Sequence, residues 1–400
     1  MSATLDAIVI GGGPAGATAA LVMARAGLSV GVVEKARFPR RKVCGEFISA
    51  TSWPLLRELG VAPHLLESAG PPVRRVGLYA GDVVVDSPMP APPGDDAWGR
   101  AVGREHLDSA LLAAAEDAGA QTWQPWSAVA VDEDSEGCTV TIADAAGAAK
   151  YLRARVLVAA HGSWERGELP TQRRRSHGAR DLLGFKAHLR NSRLPVGWMP
   201  LVLFPGGYGG LVQSDGARTS FSCCIRRAAL HACRNAHPGL AAGEALLLHV
   251  MESCRGMREA LEGARREAAW LSAGPIDPGI RRLARGRVFA AGNAAGEAHP
   301  LVAEGISMAI QSGWLLGNGL AAAGDFSNAQ LERTAQCYEA AWRENFAARV
   351  RASSLFAVLT TAPIAAAASV AVLRGLPAIL TWGARWSGKA RAPRPVETTR

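Results

Sequence analysis

Residues 5–34 carry the pattern that most constrains the fold of this chain: an apolar strand, a glycine-rich turn, an alanine-rich helix and a second apolar strand. Such a βαβ unit binds adenine dinucleotides, because the glycines let the backbone approach a pyrophosphate and the helix N-terminus offers free N–H donors. The second strand ends in a carboxylate that suits ribose hydroxyls and repels a 2′-phosphate. The unit therefore predicts a site for FAD or NAD. Its candidate contacts are Gly11, Gly13, Pro14, Ala15, Gly16 and Glu34.

A second glycine turn follows an apolar strand within the segment 286–313. A turn beside a helix N-terminus can stabilise negative charge on a reduced flavin ring, and an amide side chain there can bind the ribityl chain. Alone, the segment is equally typical of an ordinary loop before a helix. Beside the first motif it indicates FAD. The candidate contacts are Gly292, Asn293, Pro300, Gly305 and Ile306.

The composition limits the class of protein. Four hundred residues, 48% of them hydrophobic, exceed one ordinary domain. The formal charge of +9 comes mainly from scattered arginines, with only five lysines, so we expect no nucleic-acid partner. Seven cysteines without metal-ligand spacing indicate reduced thiols in a cytoplasmic protein and no metal site. Because the chain opens with a strand of the fold, we expect no signal peptide.

Alternating strand and helix patterns predict an α/β fold with two interleaved domains. One is a Rossmann-like FAD-binding domain of the glutathione-reductase type, expected over 1–70, 101–165 and 280–325. The other is a mixed β-sheet substrate domain, expected over 71–100 and 170–279 and followed by C-terminal helices over 326–400. The second domain is rich in short strands with aromatic and glycine residues, which favours a hydrophobic or aromatic small-molecule substrate.

Three further motifs carry a resemblance to a known family. They are FPRRKVCGE over 38–46, Arg104 at the head of REHLD, and GNAAGEAHPLVAEGI over 292–306. With the first glycine turn, they resemble the FAD-dependent oxidoreductases of the geranylgeranyl reductase and FixC-like dehydrogenase group, relatives of the flavin aromatic hydroxylases and flavin halogenases. The resemblance covers about residues 5–320. The further cofactor contacts assigned with it are Lys35, Arg41, Cys44, Gly45, Arg104, Val129 and Gly162.

The resemblance places the loop around Cys44 along the flavin, so we look there for chemistry beyond cofactor binding. Lys42 could raise the flavin potential by its charge, Cys44 could contact the ring face, and Glu46 could relay a proton to a substrate anion. Each has an ordinary structural alternative: a solvated lysine, a packed thiol and a surface carboxylate.

The chain departs from the family pattern at two positions. Asn293 stands where the family usually has Asp, and an amide can still hydrogen-bond the ribityl hydroxyls. His161 and Gly162 stand where hydroxylases and many reductases carry an Asp-Gly pair. His161 is therefore either a catalytic or cofactor residue or a structural histidine at a strand end.

A third comparison with the family concerns halogenation. Flavin halogenases use a lysine some tens of residues after the Cys44 loop, yet this chain has none between Lys42 and Lys150. We therefore do not expect halogenase activity.

The leading functional hypothesis is hydride exchange between FAD and a hydrophobic substrate, either reducing a carbon–carbon double bond or running the reverse dehydrogenation. One alternative is a monooxygenase that hydroxylates an aromatic or polyketide-like substrate. Another is a non-catalytic electron-transfer flavoprotein. No second GxGxxG unit is present, so NADH or NADPH is expected to visit transiently as reductant.

The C-terminal region contains 19 consecutive uncharged residues at 355–373, close to the length of a membrane span. Pro363 and the high alanine content weaken that interpretation. Helices packed on the core, or lying at the inner face of a membrane with Arg374, Trp382 and Trp386 as anchors, are the preferred alternatives.

Overall fold

The computed structural model describes residues 4–92, 98–164, 167, 169–172, 178–361 and 363–386. Its strands, in chain order, are β1 Leu5–Ile10, β2 Val30–Val33, β3 Phe47–Ile48, β4 Arg75–Ala80, β5 Val83–Pro88, β6 Arg100–Ala101, β7 Gln121–Trp123, β8 Ser127–Glu133, β9 Cys138–Ala143, β10 Ala149–Ala159, β11 Leu182–Arg190, β12 Trp198–Phe204, β13 Gly207–Gln213, β14 Thr219–Arg226, β15 Arg265–Arg266, β16 Leu271–Ile276, β17 Gly279–Ile280, β18 Ala284–Arg285, β19 Val288–Ala290 and β20 Gly296–Glu297.

Helices cover both sheets and form the C-terminal region. In chain order they are α1 Pro14–Arg25, α2 Trp53–Glu58, α3 Ala62–Ser68, α4 Arg104–Asp117, α5 Arg227–Ala236, α6 Ala242–Ser253, α7 Arg255–Ala260, α8 Gly305–Ala321, α9 Asn328–Trp342, α10 Ala348–Thr361, α11 Pro363–Gly375 and α12 Ala378–Ala384.

The first sheet is the predicted Rossmann-like sheet, and it confirms the α/β class. Its strands run in the order β18-β19-β10-β1-β2-β7, with β9 and β8 added beside β10. The four strands β10, β1, β2 and β7 pair in parallel. Strand β1 is almost fully buried because α1 and α8 cover one face while β8 and β9 fold over the other. This arrangement brings the carboxyl ends of β1, β2 and β10 to one edge.

The second sheet forms the other domain, in the order β15-β11-β14-β13-β12-β4-β5, with β16 beside β11. All its pairs are antiparallel except β4 with β12. Its back face packs against α5, α6 and α7 through a buried cluster that includes Phe221, Leu246 and Met257. The sequence pattern predicted short strands over this stretch and missed these three helices. The apolar residues of 227–260 have helical spacing, but the segment lies between predicted strands and was therefore assigned to them.

The C-terminal helices pack on both domains. In α9, Tyr338 is buried and donates a hydrogen bond to the carbonyl oxygen of Ala290 at 2.8 Å. In α12, Thr381 donates to the carbonyl oxygen of Pro88 on β5. The uncharged stretch 355–373 is shared between α10, which ends at Thr361, and α11, which begins at Pro363. Within the described part of the chain, no helix combines the length and hydropathy that crossing a bilayer requires.

Candidate functional site

A cleft of about 600 Å³ lies between the two sheets. The first domain contributes the carboxyl ends of β1, β2 and β10, the loop before β3, and the start of α8. The second domain contributes the inner face of β11 to β14 and of β16. The cleft therefore brings the N-terminal glycine turn, the second glycine turn and the Cys44 loop together, as the sequence predicted.

The glycine turn after β1 is too crowded for side chains at two positions. Gly11 has a φ of +105°, and a β-carbon there would lie 2.6 Å from the carbonyl oxygen of Ala160. A β-carbon on Gly16 would overlap the carbonyl oxygen of Gly11, so α1 packs directly against the turn. No side chain caps the first turn of α1. Its N-terminal end is therefore available to an anionic ligand.

Glu34 occupies the end of β2, where the sequence placed a ribose-binding carboxylate. It is buried, and its two oxygens accept hydrogen bonds from the backbone N–H groups of Gly12 at 2.9 Å and Ala36 at 2.8 Å. These bonds fix the carboxylate at the mouth of the turn. Each oxygen keeps a second lone pair that can accept from a ribose hydroxyl.

Three arginines, Arg40, Arg41 and Arg104, line the cleft. Arg104 makes a two-pronged ion pair with Asp108 at 2.6 and 2.7 Å, one helical turn further along α4. Burial alone would lower the pKa of Arg104, but the charge of Asp108 outweighs burial and raises it, so the guanidinium stays charged. Arg40 also pairs with Asp108, at 3.1 Å. The guanidinium nitrogens of Arg104 and Arg40 both lie within 4.0 Å of where a β-carbon on Gly13 would stand.

The hydrogen-bonding state of Arg41 shows whether this site can hold a dinucleotide. Its side chain lines the cleft, and two of its guanidinium nitrogens, Nε and Nη2, are buried without a hydrogen-bond partner. Burying a cationic donor without an acceptor costs free energy. A pyrophosphate between Arg41 and the start of α1 would satisfy these donors, so the residues present fit FAD.

The second glycine turn closes the far side of the cleft. The N–H of Gly292 donates to Ser312 on α8 at 2.7 Å, which ties the turn to the helix. Asn293 lines the cleft and donates to Glu297 at 3.1 Å. A β-carbon on Gly305, the first residue of α8, would meet open space. The N-terminus of α8 therefore faces the cleft without steric obstruction, together with Pro300 and Ile306.

The loop before β3 places Lys42 and Cys44 at the cleft, as the family resemblance implied. The ammonium of Lys42 lies 5.8 Å from the ring centroid of Trp164. The sulfur of Cys44 accepts a hydrogen bond from the backbone N–H of Glu46 at 3.4 Å. Gly45 lies against Ser222 of β14, so this loop touches the second domain.

Glu46 does not have the environment of a proton relay. It is fully buried, with a φ of +62°, and it is ion-paired with Lys186 and with His188 of β11, the latter at 2.9 Å. Burial alone would raise the pKa of Glu46, but the hydrogen bond from His188 and the charge of Lys186 outweigh burial and lower the pKa to about 2. The carboxylate therefore stays ionised near neutral pH and fastens the Cys44 loop to the second sheet.

His161 lies at the end of β10, and both of its ring nitrogens already have partners. Nδ1 is 2.8 Å from the carbonyl oxygen of Gly162, and Nε2 is 2.8 Å from the hydroxyl of Thr171. The geometry supports the structural alternative for His161 rather than the catalytic one. Gly162, with a φ of +85°, lines the cleft, as does Lys35 beyond β2.

The assignment of Val129 to the cofactor site has to be corrected. Its side chain is 45% exposed and does not line the cleft, whereas Ser127 and Ala128 do. The pairing of β8 with β9 shifts register between Ala128 and Ala130. One extra residue in a strand moves the following side chains to the opposite face, and strand alternation alone cannot reveal it.

Sequence reasoning missed several residues that complete the site. Asp108 was detectable, because it lies four residues after Arg104 on one helix face. Lys186 and His188 left a weaker signal: two ionisable residues alternate within an otherwise apolar strand. Ser312 and Glu297 carried no local signal, since their roles depend on the packing of α8 against the second glycine turn.

Comparison with known proteins agrees with this geometry. The sequence profile described as an FAD binding domain matches residues 4–197. The chain is therefore an FAD-binding flavoprotein that is similar to this family over just under half of its length. This flavoprotein would hold the pyrophosphate with Arg41 and the start of α1, the ribose with Glu34, and the ring edge near the start of α8.

Two curated relatives match the N-terminal part of the flavoprotein. Menaquinone reductase of Mycobacterium tuberculosis is 37% identical over 158 residues, which are 40% of this chain and 38% of that protein. Geranylgeranyl diphosphate reductase of Rhodobacter capsulatus is 34% identical over 172 residues, which are 41% of this chain and 40% of that protein. The chain spans about two fifths of the length of these relatives.

Solved structures share the fold over nearly the whole chain. p-Nitrophenol 4-monooxygenase of Pseudomonas putida superposes with a TM-score of 0.73 at 16% identity, covering 98% of this chain and all of that one. Halogenases also occur among the matching sequences and structures. At this level of identity, these superpositions show a common fold and do not assign a reaction.

Proposed function

We propose that this flavoprotein reduces a carbon–carbon double bond in a hydrophobic, isoprenoid-type substrate. One observation carries the proposal: every described residue that the second sheet contributes to the cleft is uncharged, with Met199, Leu201 and Val212 along β12 and β13. The charged lining residues, including Arg40, Arg41 and Arg104, come from the first domain. The names of the two curated relatives support the same substrate class.

The two walls of the cleft have different proposed roles: the first domain binds the cofactor and the second sheet binds the substrate. Bound FAD supplies hydride chemistry. The arginines and the start of α1 would hold its phosphates, and the start of α8 would lie near its ring, where the helix dipole favours negative charge. The uncharged sheet excludes water and accepts an apolar chain by burial of hydrophobic surface. NADH or NADPH is proposed as the transient electron donor.

The test follows the colour of the flavin through its two half-reactions. The holoenzyme is reduced anaerobically with NADH or NADPH and then mixed with a short-chain menaquinone or with geranylgeranyl diphosphate. We expect one of these to reoxidise the flavin and to gain two hydrogen atoms in its isoprenoid chain, read by mass spectrometry after any quinol has been reoxidised in air. Failure of both, or hydroxylated product with coupled oxygen consumption, would reject the reductase proposal and in the second case favour a monooxygenase.

Leu201→Asn tests the uncharged wall directly. Placing an amide at the apolar face should raise the KM for the isoprenoid about tenfold, because the buried amide lacks partners. The flavin spectrum should not change. Val196→Asn is the matched control, since Val196 is 76% exposed and outside the cleft. Equal KM values for the two variants would contradict the assignment of this wall to the substrate.

We also propose that α11 and α12 rest on the surface of an anionic membrane. Large apolar side chains are exposed here: Leu376, in the turn between the two helices, is 61% exposed, and Trp382 of α12 is 60% exposed. Trp382 stacks on Trp386 with 6.2 Å between the ring centroids. The inner faces of the two helices place Leu373 and Leu380 against the cluster that contains the cleft residues Ile276 and Leu301. A lipid-borne substrate would thus meet these helices beside the cleft.

Vesicle sedimentation tests this surface. We expect the protein to bind vesicles of phosphatidylglycerol and phosphatidylethanolamine at low salt, and to bind phosphatidylcholine vesicles less, because Arg374 and Arg385 flank the apolar face. Substituting Ala for both Trp382 and Trp386 should abolish most of the binding. The exposed Tyr151→Ala variant is the control. Binding that survives the double substitution would overturn the proposal.

A further inference from the structure

We propose that Tyr208 donates the proton that accompanies hydride transfer to the substrate, and that His299 connects Tyr208 to solvent. This inference rests on the proposed reductase function, because adding a hydride across a double bond leaves a second carbon that needs a proton. The hydroxyl of Tyr208 lies 2.8 Å from Nδ1 of His299, and the two rings are 4.9 Å apart.

The pair extends from the wall of the cleft toward the protein surface. Tyr208 lies on β13, lines the cleft and is only 2% exposed. His299 is half-buried, directly before Pro300 at the cleft edge, and its backbone N–H donates to Ser353 of α10 at 2.8 Å. In the described part of the second sheet, Tyr208 is the only cleft-lining residue whose side chain carries a phenol or a carboxylic acid.

Burial sets the protonation state of both groups. It raises the pKa of Tyr208 well above its ordinary value, with smaller contributions from the neighbouring Cys224 and Glu297. Burial also lowers the pKa of His299 to about 4. Near neutral pH the phenol keeps its proton and the imidazole is neutral. A neutral imidazole carries one N–H and one free lone pair, so it can pass a proton from one nitrogen to the other.

The transfer balances in atoms and electrons. The π bond of the substrate breaks, one carbon receives the hydride from the reduced flavin, and the adjacent carbon receives the proton of the Tyr208 hydroxyl. The flavin is oxidised and the substrate is reduced by two electrons. The phenolate left behind takes the Nδ1 proton of His299, and Nε2 of that ring takes a proton from solvent. Before the next turnover the ring exchanges its proton with solvent and returns to the Nδ1–H tautomer. This sequence requires the resting His299 to carry its proton on Nδ1.

Stopped-flow measurements on Tyr208→Phe and His299→Asn separate the two half-reactions. Reduction of the bound flavin by NADH or NADPH should be unchanged, since no substrate proton is involved. Reoxidation by the isoprenoid should slow about 100-fold in Tyr208→Phe. The solvent deuterium isotope effect on reoxidation should differ between the wild type and His299→Asn. Tyr151→Phe, which removes a phenol hydroxyl from a residue that is 70% exposed and outside the cleft, should keep the wild-type rate.

A second measurement is independent of turnover. Long-range ¹H–¹⁵N spectra of histidine-labelled holoenzyme should show His299 as the Nδ1–H tautomer, with the resonance assigned by its loss in His299→Asn. A proton on Nε2, or equal reoxidation rates in wild type and Tyr208→Phe, would overturn the proton-donor assignment. If wild-type flavin is not reoxidised by any isoprenoid tested, the proposed function fails instead, and the two failures are distinguishable.

Discussion

Replacing Glu46 by glutamine is expected to lower the free energy of unfolding by about 3–5 kcal/mol, because it leaves Lys186 buried without its counter-charge. Lys186 and the carboxylate of Glu46 are both completely buried. Glutamine has the same size and would adopt the same left-handed backbone, so the loss reports on charge alone. Urea denaturation of the ligand-free protein measures it.

The same carboxylate predicts an acid-dependent loss of stability. The folded pKa of Glu46, about 2, lies below its ordinary value of 4.5. A group whose pKa is lowered on folding stabilises the protein fully above the unfolded pKa and loses that contribution as pH falls toward the folded pKa. The wild type should therefore lose about 3 kcal/mol between pH 5 and pH 2 through this group. In Glu46→Gln that part of the pH dependence should be absent.

Glu262→Gln provides the control for both measurements. Glu262 pairs with Arg193 at the surface, where both side chains are more than half exposed. Such pairs contribute about 0–1 kcal/mol. If Glu46→Gln is no more destabilising than Glu262→Gln, the buried ion pair does not fasten the Cys44 loop.

The second large effect is expected at the N-terminal glycine turn, where two glycines should respond differently to the same substitution. Gly16→Ala should destabilise the ligand-free protein by about 1–3 kcal/mol, because the methyl group overlaps the Gly11 carbonyl and the helix has to move. Thermal unfolding of the ligand-free protein measures this change.

Gly13→Ala should leave the fold intact and weaken the binding of FAD. Its backbone, at φ −72°, is available to alanine, and the nearest atom to the new methyl group would be Nη2 of Arg104 at 3.7 Å. The methyl group would occupy space that the phosphates need, so the FAD dissociation constant should rise at least about tenfold. Flavin fluorescence titration measures it. Equal stability losses in the two variants would show that both glycines serve packing only.

Much of the cofactor site could be predicted from the sequence because its signals are local. The βαβ unit, the carboxylate at the end of β2, and the second glycine turn each lie within about thirty residues. In such segments, backbone geometry and helix-terminus electrostatics dictate the residue type. The alanine-rich helix of this unit is α1, which begins at Pro14 directly after the glycine turn.

The contacts between the domains could not be predicted, because they join residues that are distant in sequence. Glu46 and Lys186 are 140 residues apart, and Tyr208 and His299 are 91 residues apart. Nothing near Glu46 indicates a buried partner, so an ordinary carboxylate on a cofactor loop suggested proton transfer. The correction at Val129 has the same origin, since a register shift depends on the partner strand.

The sequence by itself therefore determined that this protein binds FAD and which fold binds it. The tertiary structure decided what the remaining charged and polar groups do. It converts Glu46 from a candidate acid into a buried anchor, gives both ring nitrogens of His161 structural partners, and places a phenol and an imidazole together at the cleft wall. The physical reason is that pKa values and hydrogen-bond partners depend on burial and on neighbours across the fold, which local residue patterns do not encode.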